Sequence, residues 1–304
     1  MKRVALMFSI AAGLSVVASS LVLAQGAPKV ETVLTLPQEP NGQLENIAEG
    51  PDGGLYVTAP FDRIIWKIKD GKAQKFASFP TYELISSAAG DDDEVVVSVH
   101  TTSPLLPRTP GMTGSPRNPK AESGVLGPHS AILDKAGKVQ AIIPYEEDKS
   151  LFFNGLARAG DHFYLMTAGE KIISLDSKTR KLELWYQNPQ VRVNGIKVYN
   201  GWVYLPSNNQ VYRVRMGPDR KAMGDAVVFA PGGPADDLGV APDGTLYIPS
   251  GTTMLKVTPA GQTSVFLTDI ETNLSPAAWV TRDGKWLYWL ERLGPAKVKR
   301  VALK

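Results

Sequence analysis

The chain contains 304 residues, of which 33 are Lys or Arg, 30 are Asp or Glu and none is cysteine. The lack of cysteine excludes disulfides, thiolate metal sites and cysteine nucleophiles. The formal net charge of +3 is small and the basic residues are scattered along the sequence, so we expect no nucleic-acid partner.

The N-terminus has the three parts of a secretory signal peptide. Two basic residues precede an uncharged, apolar run over 4–23, and Ala24 ends a Val-Leu-Ala sequence of the kind that a signal peptidase recognises. We predict that residues 1–24 are removed and that residues 25–304 form one soluble domain, secreted or periplasmic, without membrane contact. A retained membrane anchor is the alternative, because the apolar run is long enough to span a bilayer.

A short strand with a central tyrosine recurs along the rest of the chain at intervals of about 41 residues. The gap between the first two copies is longer, and it holds one further unit without a tyrosine, 94–99, and one insertion rich in Pro, Gly and Ser, 101–128. Six units of four short strands are typical of a six-bladed β-propeller, so the predicted fold is all-β. The five tyrosines are Tyr56, Tyr164, Tyr204, Tyr247 and Tyr288.

The two ends of the chain are expected to meet in the last blade. The sequence stops at the third strand of unit six, whereas residues 30–36 form a strand with no unit of its own. A strand that completes blade six would cover the edge that a linear array of blades leaves open. A β-sandwich or a pair of small barrels is the alternative, which the regular repeat disfavours. The insertion 101–128 is expected to form a lid beside the pocket.

Polar side chains begin the first strand of four units: Glu45, Asn154, Asn194 and Asp236. They stand in a nearly common register before the second strand. Because the first strand of each propeller blade lines the central axis, we expect these side chains to converge. Two carboxylates and two amide oxygens favour one calcium or magnesium ion, with manganese or zinc as alternative occupants. Taken singly, each residue could instead cap a local turn.

These motifs resemble the four metal-ligand motifs of the senescence-marker-protein/gluconolactonase family, which includes regucalcin. The resemblance rests on Glu45, Phe153-Asn154-Gly155, Asn194-Gly195-Ile196 and Asp236, and it extends over nearly all of the chain after residue 24. It implies a six-bladed propeller with one calcium-type ion held by these four residues. It also implies hydrolysis of lactones or related esters, in which Asp236 handles a proton.

Two positions depart from the family pattern. Phe152 stands where sugar lactonases of the family often carry an arginine that grips the sugar, and Glu49 stands where the first motif usually has a tryptophan. Both departures predict a substrate that is less polar than a sugar acid.

The remaining polar candidates are predicted to be structural. His100 and His129 are assigned structural roles, and His162 is predicted to be a solvated surface residue. The acidic run 91–94 is predicted to be a solvated turn, as most runs of like charge are.

The leading functional hypothesis is therefore a monomeric, metal-dependent hydrolase acting on a small lactone or ester. One alternative is a non-catalytic exported propeller that binds a ligand or a protein partner. Another is an enzyme similar to strictosidine synthase, which shares the fold but relies on a pocket glutamate. Propellers host many activities, so the fold by itself does not choose among these.

Overall fold

The computed structural model describes most of the chain after residue 27. Within the described part, no helix is long and apolar enough to cross a membrane. The predicted signal peptide and residues 102–126 of the insertion lie outside this part. The described ranges are 28–35, 44–50, 52–82, 84–91, 93–101, 127–233, 235–270, 277–291 and 295–303.

The described residues form strands joined by turns. In chain order the strands are β1 (Val30–Thr35), β2 (Ile47–Glu49), β3 (Leu55–Ala59), β4 (Ile64–Lys69), β5 (Lys72–Ser78), β6 (Leu84–Gly90), β7 (Glu94–His100), β8 (Pro128–Asp134), β9 (Val139–Pro144), β10 (Leu156–Gly160), β11 (Phe163–Ala168), β12 (Lys171–Asp176), β13 (Lys181–Gln187), β14 (Lys197–Tyr199), β15 (Trp202–Ser207), β16 (Gln210–Met216), β17 (Ala222–Pro231), β18 (Gly239–Val240), β19 (Leu246–Ser250), β20 (Thr253–Val257), β21 (Thr263–Leu267), β22 (Ala278–Val280), β23 (Trp286–Glu291) and β24 (Lys297–Ala302).

Six antiparallel four-stranded sheets form the six blades, which confirms the predicted fold. Blades 1 to 5 are β2–β5, β6–β9, β10–β13, β14–β17 and β18–β21 in succession. The first strand of each blade contacts the first strand of the next, and β22 contacts β2, so the inner strands form a closed ring.

Blade 6 is closed by the N-terminal strand, as predicted. Its order is β1-β24-β23-β22, so strands from both ends of the chain share one sheet. Val30 pairs with Val301, and Arg300 donates from Nε to Glu31 Oε2 over 2.9 Å. The closure leaves no blade edge open between the two ends of the chain.

The core lies between the blades rather than inside one sheet. Because successive strand residues point to opposite faces, each blade presents one apolar row to each of its two neighbours. Tyr56 and Tyr164, two of the repeated tyrosines, are almost fully buried and lie in two different hydrophobic clusters. These tyrosines of the repeated second strand therefore pack between neighbouring blades.

The ring has two mouths, which we name by the direction of the inner strands. The inner strands begin at the entry mouth and end at the exit mouth. Second strands run the opposite way and end on the entry side. His100, the last residue of β7, pairs with Pro128, the first residue of β8. The insertion between them therefore leaves and rejoins the propeller on the entry side, where the four polar strand starts also lie.

Candidate metal centre

Three of the four predicted ligands follow one another around the entry mouth. The side-chain amide of Asn154 donates a hydrogen bond to Oδ1 of Asn194. The backbone of Gly155 also donates to the Asn194 carbonyl over 3.0 Å. A Cβ built on Gly195 would lie 2.5 Å from the Asp236 carbonyl oxygen. The glycine after each asparagine thus allows the next strand start to approach closely.

Buried threonines fix the register of these strand starts. Thr58 accepts a hydrogen bond from the backbone of Glu45 over 3.0 Å, and Thr167 accepts one from Asn154 over 2.9 Å. The Thr58 hydroxyl then donates to the Ser86 carbonyl over 2.6 Å, and the Thr167 hydroxyl donates to the Asn194 carbonyl. Each threonine joins its own blade to the next one. Glu45 and Asn154 consequently occupy equivalent positions in blades 1 and 3.

A buried polar network lies directly behind the four predicted ligands. Asp237 is buried and forms an ion pair with the buried ammonium group of Lys197. The side-chain amide of Asn46, also buried, donates to the same Asp237 oxygen over 3.5 Å. The network joins blades 1, 4 and 5 across the axis. These three residues were not among the predicted ligands, although each stands within three positions of one in the sequence.

Burial changes the acidity of the two neighbouring carboxyl groups. Desolvation, together with the nearby charge of Asp237, raises the pKa of Asp236 to about 7. Burial also raises the pKa of Asp237, and the Lys197 ammonium opposes that rise. Oδ1 of Asp237 has no hydrogen-bond partner among the described residues. Carboxylates in this condition are stabilised by a cation, and the amide and carboxylate oxygens around them are the donors that calcium prefers. The residues present therefore fit a divalent ion.

His100 and Phe152 form a stacked pair beside Asn154. Their ring centroids are 4.3 Å apart with an interplanar angle of 17°. His100 is buried, and its Nε2 donates to the Phe153 carbonyl over 2.9 Å. Burial lowers the pKa of His100 to about 4, so the ring is neutral near pH 7. His129 is also buried, with Nδ1 3.0 Å from the Gly127 carbonyl oxygen. Both contacts give these histidines a structural role.

A second polar cluster lies on the exit side, and the burial of its residues shows that two predictions from the sequence are wrong. Asp91 is only 3% exposed and His162 is partly buried, so neither is the solvated residue that the sequence predicted. Asp91, Glu94 and His162 place their ligand atoms within 4.8 Å of one another, which would allow a metal ion.

Hydrogen-bond donors already engage the carboxylates of that cluster. Arg158 lies 2.6 Å from Asp91, while the Tyr164 and Ser177 hydroxyls donate to Glu94 over 2.9 and 2.5 Å. These contacts join the exit-side turns of blades 2 and 3. Asp91 is buried and Glu94 is partly buried, because blade 3 supplies this complementary set of donors.

No protein-family model matches the sequence, and no curated protein matches it either. Solved structures do match its fold. A gluconolactonase from Xanthomonas campestris superposes with a TM-score of 0.67 at 15% identity, over 91% of this chain and 90% of that one. A calcium-binding regucalcin from Agrobacterium tumefaciens gives 0.66 at 12% identity, over 91% and 95%. A virginiamycin B lyase from Staphylococcus aureus gives 0.58 at 15% identity, over 91% and 99%. The chain therefore shares the six-bladed β-propeller fold of gluconolactonase and regucalcin structures.

Proposed function

We propose that the protein is a hydrolase of lactones or related esters that depends on one divalent metal ion at the entry mouth. The observation that carries the proposal is the succession of Asn154, Asn194 and Asp236 around the axis, where a side-chain hydrogen bond and a close backbone approach join neighbouring strand starts. Glu45, at the position equivalent to Asn154, completes the proposed ligand set. Calcium is the proposed ion, with magnesium, manganese or zinc as alternatives.

A bound divalent ion would supply Lewis-acid polarisation of the substrate carbonyl and a lowered pKa of bound water. The protein's own contribution is positioning. Asn154 and Asn194 are held by backbone contacts between blades, so their amide oxygens need little reorganisation to orient a substrate or an ion. Asp236, a partly buried carboxylate beside them, is the proposed acceptor of a proton from water.

The stacked pair of His100 and Phe152 supports a substrate with an apolar part. Phe152 precedes the buried Phe153 and the proposed ligand Asn154, and its ring lies flat against a neutral imidazole. Neither ring carries a charge that would attract a sugar acid. The insertion that leaves and rejoins the entry side after His100 and before Pro128 is the proposed lid.

Support also comes from proteins of the same fold. Two of the solved structures compared above are a gluconolactonase and a calcium-binding regucalcin. A lyase shares the fold as well, so the proposal rests on the polar residues of the entry mouth and not on the fold. We further propose that the mature protein is monomeric and acts in the periplasm or outside the cell, after removal of residues 1–24.

The test is hydrolysis of a panel of aldonolactones and acyl lactones by the protein without residues 1–24, with calcium and with a chelator. We expect turnover that requires the ion and favours acyl lactones. Asn194→Ala should abolish both ion binding and turnover. Asn188→Ala is the matched control, because among the described residues the Asn188 side chain bonds only to the Tyr186 hydroxyl and to the Gln190 backbone, away from the entry mouth.

The outcomes separate the proposal from its alternative. Turnover that persists in chelator would contradict metal catalysis. An ion that binds without turnover on any lactone or ester would instead make the site structural and favour a non-catalytic binding propeller.

A further inference from the structure

A cavity of about 330 Å³ opens at the exit mouth, at the opposite end of the axis from the proposed metal centre. Volumes of roughly 300 Å³ and above are typical of small-molecule sites. Small apolar side chains on all six inner strands leave this space open, and they make most of its wall apolar. They include Ala48, Ala89, Ala157, Val198, Val240 and Val280.

Lys197 belongs to the wall of the cavity, and its ammonium group is buried. An ammonium group has three donors. In the described part of the chain, Asp237 Oδ2 is the single acceptor found for them. Buried donors are normally paired, so the remaining two favour a ligand that brings an acceptor oxygen into the cavity. The same ammonium lies 5.7 Å from the centroid of the Trp279 ring, another wall residue.

One positive charge at the rim of the cavity is not paired by a carboxylate of the described residues. Arg282 is exposed, and its guanidinium group has no ion pair among the described residues. Among the described wall residues Glu49 is the one acidic side chain, and its Oε2 already accepts hydrogen bonds from the Arg282 backbone over 2.8 Å and from Trp279 over 3.4 Å. Arg158, the third cation of the wall, is paired with Asp91. The unpaired guanidinium of Arg282 therefore favours an anion at this rim.

We propose that the exit-mouth cavity binds a small organic acid with an aromatic or apolar body. Its carboxylate would accept hydrogen bonds from Lys197 and Arg282, and its aromatic or apolar body would pack against Trp279 and the small side chains of the wall. A carboxylate supplies the acceptors that the buried ammonium lacks, and aromatic contact with an indole adds affinity. The site is separate from the entry mouth, so it does not depend on the proposed hydrolase activity.

Benzoate is the probe, and calorimetric titration in chelator is the measurement. We expect one saturable site that binds benzoate about tenfold or more tightly than benzyl alcohol or benzylamine, which keep the ring but replace the carboxylate. Arg282→Gln should weaken benzoate binding about tenfold, since it removes one charge-assisted contact from an exposed position. Trp279→Leu should also weaken it. Arg215→Gln is the matched control, because Arg215 stacks on Trp202 outside the cavity, and it should leave affinity unchanged.

Several results would overturn the proposal. These are no saturable binding of benzoate, equal binding of benzyl alcohol, or a benzoate affinity that Arg282→Gln and Trp279→Leu leave unchanged. Asn194→Ala should not alter benzoate binding. A loss of binding in that variant alone would place the acid at the entry mouth and contradict the assignment to the exit mouth.

Discussion

The amide group of Asn154 donates to the side-chain oxygen of Asn194, although 40 residues separate them in the chain. The Asn194 carbonyl also accepts hydrogen bonds from the Gly155 backbone and from the Thr167 hydroxyl. Hydrogen bonds from Gly155 and Thr167 therefore hold the two strand starts together without a bound ion. A preformed site of this kind loses little conformational entropy when it binds an ion or a substrate.

Replacement of Gly195 tests whether close approach of the strand starts is needed for the site. A Cβ at this position would lie 2.5 Å from both the Asp236 carbonyl oxygen and Asp237 Oδ1. We expect Gly195→Ala to displace Asp236, to lower calcium affinity at least tenfold and to cost about 1–3 kcal/mol of stability. Gly71→Ala is the control, since Gly71 has positive φ and open space around it, and it should cost about 1 kcal/mol with no effect on calcium. Equal calcium affinity in both variants would contradict the account.

Asp236→Asn should have opposite effects on the stability of the ion-free and ion-bound protein. The folded state keeps a proton on Asp236 up to pH of about 7, whereas the unfolded chain releases it near 3.8. The contribution of this group to stability therefore falls as pH rises through that interval. At pH 8 the ion-free variant should unfold at the same temperature as the wild type or higher, yet gain much less from calcium, because the amide oxygen that replaces the carboxylate carries no charge. Thermal unfolding with calcium and with chelator measures both effects, and an unchanged calcium-induced rise would exclude Asp236 as a ligand.

Removing Lys197 should be far more damaging than removing a surface lysine. Lys197→Met leaves the buried Asp237 carboxylate without its counter-charge, and we expect a loss of about 3–5 kcal/mol in urea unfolding. The double variant with Asp237→Leu should recover most of that loss, because both charges are then absent. Lys285→Met, which breaks an exposed pair with Asp283, should change the free energy of unfolding far less, because solvent screens that pair. Similar losses of unfolding free energy in Lys197→Met and Lys285→Met would mean that the Lys197–Asp237 ion pair contributes little to stability.

His100 should make the protein less stable in mild acid. Its pKa is about 4 in the folded state and 6.5 in the unfolded chain, so between these values only the unfolded state binds the proton. Stability from this residue is complete above pH 6.5 and falls as the pH is lowered. From pH 6.5 to about pH 5 we expect a loss of about 2 kcal/mol in the wild type. His100→Gln keeps a donor for the Phe153 carbonyl and should lack this part of the loss in urea unfolding. Parallel losses in both proteins would assign the acid sensitivity to other groups.

The sequence repeat predicted the features of the fold that depend on periodicity, which are the number of blades and the closure of blade 6. Spacing of the tyrosine strands is enough to place six blades, and the unpaired strand at the N-terminus is enough to predict the closure with β24. The location of the polar strand starts could also be predicted from the sequence, because the position of a residue in a repeated strand determines which mouth of the ring it occupies.

Side-chain contacts between blades could not be predicted from the sequence repeat. Lys197 and Asp237 pair across two inner strands, and Asp91 meets Arg158 from the next blade. A periodic pattern shows where a side chain lies on its own strand, but the identity of its partner depends on which residue of another blade stands opposite. The prediction of a solvated acidic turn was wrong for Asp91 because its neutralising partner lies in a different repeat.

The measurement that tests the central claim most directly is a calcium titration followed on one sample by calorimetry and by hydrolysis of the preferred lactone. The account predicts one site per chain, a rate that rises with the same midpoint as binding, and the loss of both signals in Asn194→Ala. A rate that is independent of calcium, or a calcium site that survives Asn194→Ala, would contradict it.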